Sequence, residues 1–350
     1  MRAKRSFGAN SIVRAAISTP AIPDIEERLN RYEWDRMNLP DLTGKTALVT
    51  GGNSGLGFSI CLALAKKNAH VILTARDAQK GQEAADMING ALGNNNVEFM
   101  ELDVGSFEKI RSFVQKFRAK NQPLHILVNN AGIHVPGGDA PEASGQRTPE
   151  GFEVTLGTNY FGHLLLTELL MDKLKESAPA RIVNQGSPIE QLSGGVYWDD
   201  LKGENKTSSD MQVYGASKLY NIMVAKAWNE KLKDTGIEAF SAHPGITSTK
   251  IFDKTDKTKP IGAFVSTINP ILGQPEERGA SPLLYAAASP DLDGKGGAFI
   301  GGPVGALAPI TNLDQFKDRE TFTDEAKHLS DCMRLYEESL KLIQPGLEGM

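Results

Sequence analysis

The sequence predicts an α/β fold in which a doubly wound parallel sheet carries helices on both faces. Short apolar runs alternate with segments of helical periodicity, which is the pattern of repeated strand–helix–strand units. A glycine cluster at 51–57 separates the first apolar run from the first helical segment, as in sheets that bind a ligand at their strand ends. A chain of 350 residues with 40% hydrophobic content is long enough for one such domain.

Seven apolar runs are predicted as strands, at 46–50, 70–75, 97–102, 124–128, 181–184, 238–242 and 298–300. Helices are predicted through 60–65, over 78–92 and over 106–120. Because a helix follows each of the first strands, the connections are crossovers and the strands are expected to be parallel. We therefore place a single domain at 41–303, with a helical extension at 304–350 that packs on it.

Residues 1–40 are predicted to be an N-terminal extension. The first 23 residues contain arginine, lysine, serine and alanine but no acidic residue, and a short helix is expected from Asp24 onward. Two interpretations stay open for the leader, an organellar transit peptide or a solvated tail. The localisation is accordingly cytoplasmic, or mitochondrial or plastid if the leader is a transit peptide.

Composition excludes several classes of protein. No apolar run approaches the roughly 18 residues of a membrane-spanning helix, and a net charge of −5 does not suit nucleic-acid binding. Two cysteines are too few for a disulfide scaffold. The six histidines are scattered without metal-ligand spacing, so no metal is expected. The chain also lacks the Gly-x-Ser-x-Gly motif of many hydrolases.

The glycine cluster predicts a Rossmann-type dinucleotide site. Gly51 permits a tight turn, Gly55 allows close approach of the backbone to a pyrophosphate, and Gly57 lets the helix pack close to the sheet. The N-terminus of the following helix offers free N–H donors to the phosphates. The residues expected to contact the cofactor in this loop are Gly51, Asn53, Ser54, Gly55, Leu56 and Gly57.

The glycine loop and six further motifs resemble those of the short-chain dehydrogenase/reductase family. The loop reads Thr-Gly-x-x-x-Gly-x-Gly, and Asn-Asn-Ala-Gly follows the fourth predicted strand at 129–132. The others are Leu-Asp-Val at 102–104, Asn159, Ser187 at a strand end with Tyr-x-x-x-Lys at 214–218, and a Pro-Gly turn at 244–245. The resemblance covers roughly residues 43–303. The long interval between Ser187 and Tyr214, and the stretch 217–221, are similar to the branch of retinol-dehydrogenase-like and WW-domain-oxidoreductase-like members.

The resemblance implies an oxidoreductase whose catalytic set is Asn159, Ser187, Tyr214 and Lys218. In the family, the serine binds the substrate oxygen, the tyrosine transfers the proton, the lysine binds the nicotinamide ribose, and the asparagine supports a proton relay. Further cofactor contacts implied by matched positions are Asp103, Val104, Asn130, Ala131, Gly132, Tyr214, Lys218, Pro244, Gly245, Ile246 and Thr249. Independently, Tyr214 and Lys218 share one helix face, and the ammonium is expected to lower the tyrosine pKa from about 10.

The preferred cofactor is predicted from the end of the second strand. Arg76 stands where an acidic residue would accept from a ribose 2′-hydroxyl, and a guanidinium pairs instead with a 2′-phosphate. NADP(H) is therefore favoured, with NAD(H) as the alternative. Asp77 is expected to face solvent. Gln185 is a polar residue at a normally apolar strand position, and His163 is expected to be a buried histidine of the core.

The branch acts on small apolar alcohols and carbonyls such as retinoids, steroids and lipid aldehydes, so a substrate of that class is implied. The stretch 251–277 suits either a lid over such a substrate or a core helix. Two alternative functions stay open, a catalytically weak NADP-binding regulatory or scaffold protein and an NAD-linked alcohol dehydrogenase. A homo-oligomer is also compatible with the sequence.

Overall fold

The computed structural model describes residues 39–135, 146–204, 208–245, 247, 275–301, 317–318, 321 and 323–348. The leader, the helix predicted from Asp24, Ile246, Thr249 and almost all of the stretch 251–277 lie outside the described residues.

Eight strands of the described residues form one sheet: β1 (Thr46–Val49), β2 (His70–Ala75), β3 (Val97–Glu101), β4 (Ile126–Asn129), β5 (Ala180–Gln185), β6 (Ile237–His243), β7 (Phe299–Gly301) and β8 (Lys317–Asp318). The first seven are parallel and match the seven predicted strands. The two-residue strand β8 pairs antiparallel with β7 and was not predicted, because its sequence carries no apolar run. The predicted α/β fold with a doubly wound sheet is confirmed.

The helices that flank the sheet are α1 (Gly55–Lys66), α2 (Ala78–Leu92), α3 (Phe107–Ala119), α4 (Gly162–Leu169), α5 (Met171–Glu176), α6 (Asp210–Lys231), α7 (Glu276–Ala288) and α8 (Leu329–Leu347). A short helical segment, Val154–Leu156, and a π-helical turn, Gly157–Phe161, lead into α4. Among the described helices, none has the length and apolarity needed to cross a membrane.

The sheet has the strand order β3-β2-β1-β4-β5-β6-β7-β8. From β1 the chain proceeds outward to β2 and β3, and then returns to the other side of β1 to form β4. A crevice opens at such a reversal, outside the carboxyl ends of the strands, and ligands bind there in sheets of this type. The fold therefore brings the residues that follow β1, β4 and β5 to one edge.

Both faces of the sheet are buried. Leu48 packs into a core formed with α3, α4, α6 and α8, whereas its neighbours Ala47 and Val49 pack into a second core formed with α1, α2 and α7. A strand buried on both faces needs apolar residues at successive positions, which explains the continuous apolar runs in the sequence. The helix α8 at the end of the chain packs against α6 and is part of the first core.

Candidate active site

The loop between β1 and α1 has the backbone geometry that its glycines were expected to supply. Gly51 and Gly55 have positive φ angles of 67° and 59°, a region that favours glycine. A Cβ on Gly57 would lie 2.2 Å from the carbonyl oxygen of Gly51, so only glycine fits there. Ser54 is the N-cap of α1 but makes no side-chain cap bond, and the first turn of α1 has no acidic residue. Within α1 itself nothing opposes an anion at the helix N-terminus, and the acidic side chain next to it comes from α7, where Glu276 Oε1 lies 3.7 Å from the position of a Cβ on Gly55.

Thr50 fastens this loop to the Asn-Asn-Ala-Gly segment. Its Oγ1 accepts hydrogen bonds from the backbone N–H groups of Asn130 and Ala131, each at 2.9 Å. The Asn130 side chain donates Nδ2 to the carbonyl oxygens of Thr50 and Gly51, at 2.8 and 3.4 Å. The loops after β1 and β4 are thus joined by hydrogen bonds at the crevice.

Two residues of the predicted cofactor set lie at the neighbouring ends of β2 and β3. Arg76 directly follows β2 and its side chain is exposed, while Asp103 follows β3 and accepts from the N–H of Gly105 at 2.9 Å. Asp77 is the N-cap of α2, and its carboxylate accepts from the N–H of Lys80 at 3.0 Å. Asp77 thus directs its carboxylate to the start of α2, and Arg76 is the cationic side chain that directly follows β2.

Asn159 lies in the π-helical turn before α4 and is fully buried. Its side chain accepts from the N–H of Ile133 at 2.8 Å and donates to the Ile133 carbonyl at 2.9 Å. A Cβ on Gly132 would lie 3.4 Å from Asn159 Oδ1 and 3.6 Å from Lys218 Nζ. The turn therefore holds Asn159 against the segment after β4, next to Lys218.

Ser187 follows β5 and caps a 3₁₀ helix, Pro188–Leu192, by accepting from the N–H of Ile189 at 3.2 Å. Accepting uses a lone pair, so the hydroxyl retains its proton for a further bond. The preceding glycine is explained by packing, because a Cβ on Gly186 would lie 2.8 Å from the ring of Phe299. Nothing in the structure explains the glutamine side chain at 185.

Tyr214 and Lys218 are carried by α6, which begins with a capping box between Ser209 and Gln212. The Lys218 Nζ lies 5.5 Å from the centre of the Tyr214 ring, so the pair shares one helix face as predicted. A Cβ on Gly215 would lie 2.7 Å from the carbonyl oxygen of Ile189. Gly215 thus lets α6 pack closely against the 3₁₀ helix that Ser187 caps.

Burial dominates the electrostatics of the pair. It lowers the pKa of Lys218 to about 7, because an ammonium without water is disfavoured. It raises the pKa of Tyr214 above its ordinary value for the corresponding reason. The expectation that Lys218 lowers the tyrosine pKa is therefore wrong for this structure. At neutral pH the Tyr214 phenol keeps its proton and Lys218 is balanced between its two forms.

Lys218 is joined to the rest of the site through the end of β5. Its Nζ donates to the carbonyl oxygen of Gln185 at 3.3 Å. The Asn221 side chain donates Nδ2 to that same carbonyl at 3.2 Å and to the carbonyl of Asn159 at 3.1 Å. Sequence reasoning missed this role of Asn221, whose only signal was its place one turn after Lys218.

His163 is buried and hydrogen-bonded on both sides of its ring, which confirms the expected core histidine. A second histidine beside the site was not foreseen. The His134 side chain is fully buried, and its ring packs edge-to-face on Tyr214 with centroids 5.5 Å apart. Its Nε2 lies 3.6 Å from a carboxylate oxygen of Asp210.

The Pro-Gly turn lies at the end of β6, on the same edge of the sheet. Gly245 has a φ of 69° and donates its N–H to Nδ1 of His243 at 3.2 Å. The Thr247 hydroxyl donates to the carbonyl of Pro244 at 2.9 Å. Ile246 and Thr249, which complete the predicted cofactor set, lie outside the described residues. Within the described residues, no group of three or more His, Cys, Asp or Glu side chains is placed to hold a metal.

Sequence comparison shows the class to which this fold and site belong. The sequence model of the short chain dehydrogenase family matches residues 45–199. Retinol dehydrogenase 12 of Mus musculus is 35% identical over 259 residues, which are 74% of this chain and 78% of that protein. The chain therefore belongs to the short-chain dehydrogenase/reductase family, in its retinol-dehydrogenase-like branch, and is an oxidoreductase of that family.

Two further relatives extend this similarity. Retinol dehydrogenase 13 of Homo sapiens is 34% identical over 312 residues, which are 88% of this chain and 86% of that protein. Polyprenol dehydrogenase of Danio rerio is 35% identical over 269 residues, which are 75% and 80% of the two chains.

Solved structures share the fold. An uncharacterized protein from Mycobacterium paratuberculosis superposes with a TM-score of 0.67 and 27% identity, covering 88% of this chain and 96% of that one. Gluconate 5-dehydrogenase from Burkholderia cenocepacia, in complex with NADP and tartrate, has a TM-score of 0.60 and 20% identity over 79% and 98% of the two chains. The second likeness shows the fold alone.

Proposed function

We propose that this protein is an NADP(H)-dependent oxidoreductase that transfers a hydride between nicotinamide and the carbonyl or alcohol carbon of a small apolar molecule. One observation carries the proposal. The buried pair of Tyr214 and Lys218 lies beside Asn159 and the segment capped by Ser187, at the edge where the glycine loop ends. An acid–base group, an oxygen-binding hydroxyl and an anion-binding loop are what such a reaction requires.

Each of the four proposed catalytic residues has its own role in the reaction. Ser187 donates its hydroxyl to the substrate oxygen, and Tyr214 exchanges a proton with that oxygen. The raised pKa keeps the Tyr214 phenol protonated at neutral pH, so the proton needed for carbonyl reduction is present, although the same shift makes the phenol a weaker acid. Lys218, held by the Gln185 carbonyl, supplies positive charge beside the phenol when it is protonated, and Asn159 fixes the segment next to it.

The residues present fit a dinucleotide cofactor. The glycine loop and the N-terminus of α1, where Ser54 makes no side-chain cap bond and the first turn has no acidic residue, would hold the pyrophosphate. The exposed Arg76 would pair with the 2′-phosphate of NADP, and Asp77 is already engaged as a helix cap. When bound, the nicotinamide supplies the hydride or accepts it. Arg76 is thus the support for preferring NADP(H) over NAD(H).

The apolar substrate class is supported by the relatives. Retinol dehydrogenases and a polyprenol dehydrogenase are named for long, largely hydrocarbon alcohols. Their identities of 34–35% reach well beyond the cofactor loop, since the aligned segments include most of this chain. We extend to this chain the class of substrate, an apolar alcohol or aldehyde, and not the particular molecule.

The proposal is tested by following NADPH and NADH oxidation with a panel of long-chain, aromatic and retinoid aldehydes. Wild type is compared with Tyr214→Phe, which removes the proton donor and keeps the ring. Tyr220→Phe is the matched control, because Tyr220 is a buried tyrosine of the same helix whose hydroxyl accepts from the N–H of Tyr197. We expect Tyr214→Phe to lose at least about 100-fold in turnover, the size of a general acid contribution, and to keep NADPH affinity.

Three outcomes separate the alternatives. Turnover with NADPH that collapses only in Tyr214→Phe supports the proposal. Turnover that prefers NADH favours the NAD-linked alcohol dehydrogenase. Tight NADPH binding with no turnover of any aldehyde in the panel favours the regulatory or scaffold protein.

A further inference from the structure

We propose that His163 is a positioning residue that connects the glycine loop after β1 to the π-helical turn that carries Asn159. Its ring bonds Thr50 on one side and the carbonyl of Asn159 on the other. This inference rests on the proposed function and deepens it. It predicts that the two nitrogens of a single imidazole support two separable properties, cofactor affinity and turnover.

The hydrogen bonds of His163 define its tautomer. Its Nδ1 lies 3.0 Å from the Asn159 carbonyl oxygen, and its Nε2 lies 2.9 Å from Thr50 Oγ1. A carbonyl oxygen only accepts, so Nδ1 carries the proton. Burial lowers the pKa of His163 to about 4, and a neutral ring has one N–H. Nε2 is therefore an acceptor, and the Thr50 hydroxyl donates to it.

On the loop side, this bond fixes the direction of the Thr50 hydroxyl. The oxygen already accepts from the N–H groups of Asn130 and Ala131. Its one proton has two acceptors within reach, His163 Nε2 at 2.9 Å and the Val128 carbonyl at 3.4 Å, and the shorter contact is the stronger bond. Thr50 immediately precedes Gly51, so His163 stabilises the position of the loop expected to hold the pyrophosphate.

On the catalytic side, the bond from His163 Nδ1 fixes the carbonyl of Asn159, which is connected to Lys218 through other hydrogen bonds. The Asn159 carbonyl also accepts from Asn221 Nδ2, and that amide bonds the Gln185 carbonyl that holds Lys218. His163, Asn159, Asn221 and Lys218 are each at most 2% exposed. In a buried network of this kind, an unpaired member is costly, and the others shift to compensate.

Two substitutions separate the two bonds. The side-chain amide of asparagine reaches about as far as Nδ1 of histidine, so His163→Asn keeps the hydrogen bond to the Asn159 carbonyl and loses the hydrogen bond to Thr50. The amide of glutamine reaches about as far as Nε2 of histidine, so His163→Gln keeps an acceptor for the Thr50 hydroxyl and loses the hydrogen bond to the Asn159 carbonyl. His163→Phe loses both. Leu164→Ala, at a fully buried neighbour on the same helix, is the control for a general loss of packing.

The first measurement is the dissociation constant of NADPH by fluorescence titration, which needs no turnover. The second is the pH profile of turnover at saturating NADPH. We expect His163→Asn to weaken NADPH binding about 10-fold with turnover near wild type. We expect His163→Gln to bind NADPH within about twofold of wild type, to turn over about 10-fold more slowly, and to shift the midpoint of its pH profile. His163→Phe should show both defects, and Leu164→Ala should lower thermal stability only.

A third measurement is independent of cofactor and substrate. Nitrogen NMR of the imidazole, assigned by comparison with His163→Gln, should show a proton on Nδ1 and no titration between pH 5.5 and 8. Titration in that range, or a proton on Nε2, overturns the inference whether or not the protein turns over. Equal losses of affinity and turnover in His163→Asn and His163→Gln, or no loss in either, also overturn it. If wild type binds NADPH but reduces no aldehyde, the proposed function fails while the affinity and NMR results still decide the role of His163.

Discussion

The buried Lys218 opposes folding, because its ammonium is removed from water and donates its hydrogen bond to a neutral carbonyl, that of Gln185. Its pKa of about 7 in the folded protein is below the ordinary value of 10.5. Below pH 7 both the folded and unfolded chains carry the charge, and the folded state bears the full desolvation penalty. Between pH 7 and 10.5 the folded lysine is neutral while the unfolded one is still protonated. The penalty therefore shrinks by about 1.4 kcal/mol per pH unit in that range.

Lys218→Met is accordingly expected to increase the free energy of unfolding while it abolishes turnover. The gain should be about 1–4 kcal/mol at pH 6, the range found when buried charges are replaced by apolar side chains, and smaller at pH 9. Denaturant unfolding at pH 6 and pH 9 measures this gain in the free energy of unfolding. In the folded protein Tyr214, whose pKa is raised, stays protonated at both pH values. Lys226→Met, at a half-buried lysine of the same helix, is the matched control and should retain turnover. A gain that does not change with pH contradicts the prediction.

The Tyr-x-x-x-Lys motif was sufficient to predict that Tyr214 and Lys218 share one helix face, but not the pKa values of the two side chains. Tyr214 and Lys218 share a face because four residues make about one helical turn. The direction of the tyrosine pKa was mistaken, because a residue pattern reports neighbours and not the depth of burial. The roles of Asn221 and His163 were missed because both act on main-chain carbonyls. Those carbonyls belong to Asn159 and Gln185, and a sequence does not state where a carbonyl points.

At the scale of elements, the C-terminal helix α8 supports the two helical segments that carry the site. The Tyr160 hydroxyl, next to Asn159 in the π-helical turn, donates to Ser339 Oγ at 2.9 Å. Glu168 of α4 accepts from Trp228 Nε1 of α6 at 2.7 Å and from the Tyr336 hydroxyl at 3.0 Å. Helix α8 thus contacts both α4 and α6, and its buried side chains belong to the core that these two helices share.

Leu335→Ala is expected to destabilise the whole domain through this contact. Leu335 is fully buried, and removing such a side chain costs about 2–5 kcal/mol. The thermal midpoint should fall by several degrees, at roughly 2–4 °C per kcal/mol for a large domain. Glu337→Ala, at an exposed position two residues further on, is the control and should leave the midpoint within about 1 °C. A drop confined to α8, with the remaining transition unchanged, would mean that the helix folds separately.

Regular elements were predictable where a periodic pattern specifies them. The seven parallel strands have apolar residues at successive positions because both faces of the sheet are covered. The π-helical turn Gly157–Phe161 was not predictable, because no periodic pattern in the sequence distinguishes it from the α-helix that follows. A Cβ on Gly162 would lie 1.8 Å from the Val104 carbonyl, so the helix start is pressed against the loop after β3. Strand β8 was missed because two residues carry no periodicity.

At the scale of the whole molecule, the proposed cofactor would bridge both halves of the sheet. Arg76 directly follows β2, the glycine loop follows β1, and Lys218 of the proposed catalytic pair lies at the ends of β4 and β5. A ligand that contacts all of these binds the folded state alone. It therefore stabilises the protein by about 2.7 kcal/mol at a concentration 100 times its dissociation constant.

We expect NADPH to raise the thermal midpoint by several degrees, and NADH at the same concentration to raise it less. Arg76→Ala should reduce the NADPH shift to that of NADH, because it removes the cation that pairs with the 2′-phosphate. Lys80→Ala, at an exposed cation near the same helix start, should leave the difference intact. Tyr214→Phe should keep the full NADPH shift, since the phenol acts on the substrate oxygen. A larger shift with NADH, or an NADPH shift unaffected by Arg76→Ala, would assign cofactor choice to residues other than Arg76.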